Sequence, residues 1–502
     1  MRACNLVRAG ESRCRGKQPV LPAHVTEMSA GTGRTPNARW LVSAALAAVL
    51  VISGWVFGAW VPLLLAIVLA AATVAIFIPT EYAVVPLLLT AILEDPFSKL
   101  GLHLFTITID PEDLGLVFIL TYLVVLTASR RFHLRLPRGH GAVLLLVAAL
   151  AIPVMTGLAH GYYWQTSLSA GKVAFYYLFF YACWLLIPSR AAANRILIVI
   201  LGLALAAAAY LLLARVRGYE WESGMSQVFT TQGTVSRGYG LSSATPWYPT
   251  GCLIAVAYAW LSRATVRRRV LALLAAAALL VATFSTLIRG DAVAVSVGLL
   301  VVLVASFGPG RLAAAARSRA ALTLLAVLVV LVCLAPLLVH NSFVSVFVQR
   351  MESITQPQAS ALKAANTREF RLRAASQGLN YALGHPLGYG YGSMAAVPNL
   401  EEAQIQTWGN HNFVAWLGFY GGVVGLAAVS IAWLLILWQL FRRLVSEEQE
   451  RWGITAASAV LVCLTVESLD ANGLFVARFV TALAVVVLSL AFTYGRRPEQ
   501  RQ

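Results

Sequence analysis

The sequence predicts an all-α integral membrane protein: a polytopic bundle of about 12–14 transmembrane helices with one large, partly helical extracytoplasmic loop. Three observations lead there. Of 502 residues, 59% are hydrophobic and only 12% are charged, whereas a soluble domain carries about 25% charged residues. Apolar runs of roughly 17–22 residues recur along nearly the whole chain, long enough to cross a bilayer as helices. Lipid offers the backbone no hydrogen-bond partners, so those runs must be helical. Finally, Lys and Arg fall preferentially in alternate gaps between the runs.

In chain order, residues 1–39 are polar and basic (Arg2, Arg8, Arg13, Arg15, Lys17, Arg34 and Arg39) and read as a disordered cytoplasmic tail. The segment is too long and too polar for the n-region of a signal peptide. Met28 is an alternative start to Met1 and would leave a shorter tail. Helices are expected at 40–57, 59–78, 81–93, 113–128, 141–158, 171–187, 196–216, 246–261, 270–288, 291–307 and 320–339. A large loop follows over 340–410, then helices at 411–438, 453–469 and 474–494 and a short tail, 495–502. Within the loop, 366–383 reads as a helix capped by Asn366 or Thr367 and stopped at His385-Pro386. Its apolar residues Phe370, Leu372, Leu379 and Leu383 suggest a helix lying on the membrane surface.

A cytoplasmic N-terminus puts 26 of the 38 basic residues inside, as the positive-inside rule requires. The net charge of +17 therefore marks cytoplasmic loops, with membrane lipids as neighbours, and not a nucleic-acid partner. Both termini are then cytoplasmic in the cell membrane. The gaps 94–112, 159–170, 217–245 and 340–410 face outward. The six cysteines form no disulfide framework: Cys4 and Cys14 lie in the tail, and Cys183, Cys252, Cys333 and Cys463 lie in apolar runs.

The outer loop breaks the charge rule with Arg350, Lys363, Arg368, Arg371 and Arg373. An anionic ligand explains them, since the planar Arg fork binds two phosphate oxygens at once. Salt bridges to Glu352, Glu369, Glu401 and Glu402 are the structural alternative. Arg289 sits between two apolar runs near the outer interface, a depth at which Arg is a functional candidate. Its structural alternatives are pairing with Asp291 or snorkelling to the headgroups. His411 opens a helix, where neighbouring Arg charges and the helix N-terminus favour the neutral imidazole of a general base. Gly388, Gly390 and Gly392 either present backbone N–H groups to phosphate or form a tight turn. The carboxylates Glu94, Asp95, Asp110, Glu112 and Asp113 either hold a divalent cation or, for the last three, cap a helix. Glu467 and Asp470 are expected to form a structural ion pair with Arg478.

Several of these segments together resemble the bacterial O-antigen ligase and O-antigen polymerase family. His411-Asn412, nine residues, Gly422, two residues and Gly425 match its His-[Asn/Ser/Gln]-x9-Gly-x2-[Gly/Thr/Tyr] pattern. Arg368-x3-Leu372 matches its Arg-x3-Leu pattern. HPLGYGYGS at 385–393 looks like its His-Pro-Leu turn with spaced glycines. TFSTLIRGDAV resembles its Ser-Arg-Gly helix end, although Ser285 is here separated from Arg289. RGYGLSSATPWYPTG, from Arg237, occupies the place of an Arg-Gly segment but lacks its Asn-Pro-Asn. The resemblance covers about residues 230–440. It implies an enzyme that transfers a glycan from a polyprenyl diphosphate on the outer face to an acceptor hydroxyl on a glycan, lipid or protein, with no metal or other cofactor. It implies His411 as base or acceptor-positioning group and Arg289 and Arg368 as diphosphate ligands. Arg371 and Arg237 are further candidates, with Asn412, Gly388, Gly390 and Gly422 in support. Two other classes remain open: a metal-dependent polyprenyl-monophosphate sugar transferase using Glu94 and Asp95, and a lipid or polysaccharide transporter.

Overall fold

The structure, a computed structural model, describes residues 79–495 apart from 95–102, 105–106, 109, 129–135, 138, 218–224, 231–232, 239–243, 287, 308–367, 394–412, 447–450 and 472. The helices expected at 40–57, 59–78 and 320–339 lie outside the described residues, as does the N-terminal tail. The chain divides into two compact units, 1–62 and 63–502, and everything described belongs to the second.

A 3-10 turn at Thr80–Val84 leads into α1 (Val85–Ile92), and a two-residue hairpin pairs β1 (His103–Leu104) with β2 (Ile107–Thr108). Then come α2 (Pro111–Ala128), α3 (Gly141–Ala159), the short α4 (Trp164–Ala170), α5 (Lys172–Leu186) and α6 (Arg190–Arg217). A six-residue hairpin, β3 (Met225–Thr230) with β4 (Gly233–Gly238), precedes α7 (Trp247–Leu261), α8 (Val266–Ser285) and α9 (Arg289–Phe307). The chain ends with α10 (Arg368–Gly384), α11 (Phe413–Ser446), α12 (Arg451–Ala471), the one-turn α13 (Gly473–Val476) and α14 (Arg478–Tyr494).

This is an all-α polytopic membrane bundle carrying two small hairpins. Among the described residues five helices, α3, α6, α8, α11 and α12, are long and apolar enough to cross a membrane. The pair α4–α5, bent by 51°, adds a sixth if it counts as one span. Boundaries follow local chemistry. α2 starts on Pro111, whose missing N–H costs nothing in the first turn, with Asp113 complementing the helix dipole.

α14 is the central helix: every residue from Val480 to Tyr494 is buried. A helix apolar all round needs partners all round, and α14 packs on α1, α5, α6 and α12. The Phe180 and Phe492 rings meet edge to face at 5.0 Å, and the Ser489 hydroxyl donates to the Phe180 carbonyl at 3.1 Å. At the far end of α14 the Tyr494 hydroxyl donates to Asn194 on α6, and Arg195 on α6 donates Nε–H to the buried Glu81 at 2.7 Å. α7 is enclosed by α6, α8, α9 and α12, while α11 joins this core to α3 and α10.

Candidate functional site

A glycine-rich turn is clamped between α3 and the break in α11. α10 stops at Gly384 because Pro386 cannot continue it. In the turn that follows, Gly388, Gly390 and Gly392 have φ of +72, +79 and +95, the left-handed region that costs glycine nothing. The turn spends its amides inside the fold. Gly388 donates to the His385 carbonyl at 2.8 Å, Tyr389 to Phe419 at 3.0 Å, Gly390 to Tyr420 at 2.9 Å and Tyr391 to Pro153 at 2.8 Å. Of the two sequence readings of this segment, the N–H groups of Gly388 and Gly390 therefore serve the tight turn and are not offered to a phosphate.

The acceptors come from the breaks. α11 is interrupted at Gly422, with φ +61 and ψ −167. In an unbroken helix the Tyr420 carbonyl would accept from Val424. Here Val424 donates instead to the Pro386 carbonyl at 3.0 Å, and Gly390 takes the Tyr420 carbonyl. The two segments thus exchange hydrogen bonds across the break. On the other flank α3 carries Pro153 within the helix. Thr156 donates to the Leu387 carbonyl at 3.3 Å, and Ser167 on α4 to the Tyr391 carbonyl at 2.8 Å. His160 donates Nδ1–H to the Tyr389 carbonyl at 3.1 Å, since a carbonyl only accepts. Tyr391 is buried beneath, and burial pushes its phenol up to about 12.

α10 and the first arm of α11 run parallel. Gly378 lies against Ala415, and Gly418 faces the Gly378 carbonyl and Ala382. Small residues allow this close approach. Leu379 and Leu383, the residues expected to face the membrane surface, are 44% and 63% exposed and so are not used inside the bundle. With 1.5 Å per residue, Arg371 and Arg368 lie about 10 and 15 Å before Gly378, so α10 carries its Arg-bearing end beyond the start of α11.

Other contacts set the remaining candidates. α9 runs antiparallel to α12: Gly298 packs near Ala459, and the Asp291 carboxylate faces Cys463. α9 therefore begins beside the C-terminal end of α12, which leads to Phe475 on α13. The Phe475 ring lies 5.7 Å from Phe413, the first residue of α11. The first turns of α9, α10 and α11 thus share one end of the bundle. Arg289 occupies the first position of α9, and Arg368 and Arg371 the first turn of α10. His411 and Asn412 lie outside the described residues, immediately ahead of Phe413. Arg237 is on β4, opposite Ser226, in the hairpin leading to α7; Tyr248 in the first turn of α7 is close to Asp291. The three helix N-termini at this end each direct partial positive charge toward it.

No known relative identifies the chain. No family model matches it, and no curated protein or solved structure gives a significant match. The family resemblance rests on the motifs themselves.

Of the acidic candidates, Asp110 and Asp113 form an ion-pair cluster, while Asp95 lies outside the described residues. Lys172 Nζ lies 3.1 Å from Asp110 Oδ2 and 2.8 Å from Asp113 Oδ2, Arg478 pairs with Asp110, and the Tyr176 hydroxyl donates to Asp113 at 2.8 Å. The Asp110 amide also donates to Asp113 at 3.0 Å, the capping role expected for this segment. Among the described residues no group of three or more His, Cys, Asp or Glu is arranged to hold a metal ion. Arg478, expected opposite Glu467 and Asp470, is paired with Asp110. Removing a cation from a mostly buried cluster leaves its anions uncompensated, so Lys172→Met is expected to cost about 3 kcal/mol, read as a lower unfolding midpoint of the purified protein.

The hairpin β3–β4 lies in the gap 217–245, where the sequence suggests no element, although Val228, Thr230, Thr234 and Val235 are β-branched. α4, inside the expected gap 159–170, had no periodic signal of comparable length.

Proposed function

We propose that the chain transfers a glycan from a polyprenyl-diphosphate carrier to an acceptor hydroxyl on the outer face of the cell membrane, as an O-antigen ligase-like ligase or polymerase. The observation carrying this reading is the shared end of α9, α10 and α11, where the Arg289 and Arg368 positions open two helices and His411 directly precedes the third. The positive-inside pattern supports assigning that end to the extracytoplasmic side, with both termini cytoplasmic.

In this reading the acceptor oxygen attacks the anomeric carbon as the bond to the diphosphate oxygen breaks. His411 takes the hydroxyl proton. The leaving diphosphate keeps the bonding electrons, and its growing negative charge is met by Arg289 and Arg368, with Arg371 and Arg237 nearby in the sequence scheme. The helix N-termini add partial positive charge that needs no rearrangement during the reaction. No metal or other cofactor has a role. The donor is a lipid-linked oligosaccharide, and the acceptor a glycan, lipid or protein hydroxyl.

The test is transfer from a polyprenyl-diphosphate oligosaccharide by the full-length protein in proteoliposomes, with and without a chelator. Arg368→Lys keeps the charge but loses the fork, so transfer is expected to fall at least about tenfold, or about 1.4 kcal/mol in the barrier. Full activity in that variant, or activity lost to the chelator, would overturn the assignment. In a deletion strain, single repeats still attached to the acceptor indicate a polymerase, and accumulated lipid-linked polymer a ligase.

A further inference from the structure

The helix ends that carry the ion-pair cluster enclose a carboxyl group that the proposed reaction does not use. Glu112, the second residue of α2, is fully buried, and among the described residues neither of its side-chain oxygens has a hydrogen-bond partner. The charges facing it come from every element packed on this end of α2. Glu94, just beyond α1, and Asp113 on its own helix are negative; Lys172 on α5 is positive. The Tyr176 phenol on α5 faces it too. Arg478 on α14 is held by Asp110 and also faces Glu94. Glu81, the other acid packed near α2, pairs with Arg195 on α6 and not with this group.

Both cations are thus already engaged by other carboxylates. Glu94, Asp110, Glu112 and Asp113 would carry four negative charges against the two positive charges of Lys172 and Arg478. A carboxylate without water or a dedicated partner is too costly to keep ionised and takes up a proton instead. We propose that Glu112 is a buried proton-binding site, whose neutral carboxyl group lets the ends of α1, α2, α5 and α14 pack as one ion cluster, and whose ionisation loosens that junction.

Glu112 precedes the apolar run of α2. Burial first, and the Glu94 carboxylate second, push its carboxyl up from the ordinary 4.5 to about 8. The folded protein therefore binds one more proton than the unfolded chain between these values. Its stability falls as pH rises through that window and levels off above it.

Thermal unfolding of the purified full-length protein, followed from about pH 5 to about pH 8, tests the sign. The wild-type midpoint is expected to fall relative to Glu112→Gln, which mimics the neutral acid, by at least about 3 °C across the window. Infrared spectroscopy gives the direct readout. A carboxylic-acid C=O band is expected at neutral pH in wild type and lost in Glu112→Gln. Glu94→Gln removes the stronger repelling charge, so the band should titrate away at lower pH. Parallel pH curves for wild type and Glu112→Gln would overturn the proposal. So would a band unchanged by both substitutions, or one abolished at fixed pH by added calcium or sodium, which would replace the proton with a metal ion.

Discussion

His411→Ala is expected to abolish glycan transfer while the protein still folds and inserts. His411 and then Asn412 immediately precede Phe413 in the chain, and the substitution leaves the Phe413–Phe475 contact at the start of α11 unaltered. General-base catalysis contributes about 10²- to 10⁴-fold, and an acceptor no longer oriented loses more. The measurement is transfer in proteoliposomes, paired with the unfolding midpoint of the same preparation. Near-normal transfer with an unchanged midpoint would remove His411 from the mechanism. Loss of both together would make it a structural residue.

The second large effect is on folding. Gly390→Ala is expected to prevent the glycine turn from docking and to leave little properly folded protein. Its φ of +79 lies where an L side chain is strained, at about 1–2 kcal/mol. The added Cβ would also fall 2.5 Å from the Gly157 Cα, against backbone that cannot rotate away. Gly388→Ala meets the same problem at the α11 break, with its Cβ 2.5 Å from the Gly422 amide nitrogen. Gly384→Ala is the control, because a Cβ there meets nothing within 4 Å. Monodispersity in detergent and the unfolding midpoint should separate the two sites, with Gly384→Ala close to wild type and Gly390→Ala lost. Equal behaviour of the two would show that the turn tolerates rearrangement and that the hydrogen-bond exchange at Gly422 is not needed for the fold.

Much of the helical framework was legible beforehand because lipid enforces it. The run expected at 141–158 is α3 at Gly141–Ala159, that at 246–261 is α7 at Trp247–Leu261, and that at 366–383 is α10 at Arg368–Gly384. These boundaries are local: an apolar stretch, a capping residue or a proline decides each one. The hairpin β3–β4 escaped because a six-residue strand leaves a weaker pattern than a helix.

The candidate site divides along the same line. Sequence by itself determined the membrane class, and it singled out Arg289, Arg368 and His411, because charge in an apolar chain and motif spacing are both properties of the linear order. The positive-inside pattern already put the starts of α9, α10 and α11 on the outer side; the tertiary structure added which helices stand together there, with α9 running against α12 and α10 alongside α11. It alone decided that the amides of Gly388 and Gly390 go to His385 and Tyr420, and that Arg478 answers Asp110. Apart from the local Gly388–His385 bond, these pair residues far apart in the chain. Helical and strand periodicity report which face of an element is buried, but not which partner buries it. That choice belongs to packing, where Gly378 against Ala415 and Gly390 against Gly157 fit only because no side chain stands between the backbones.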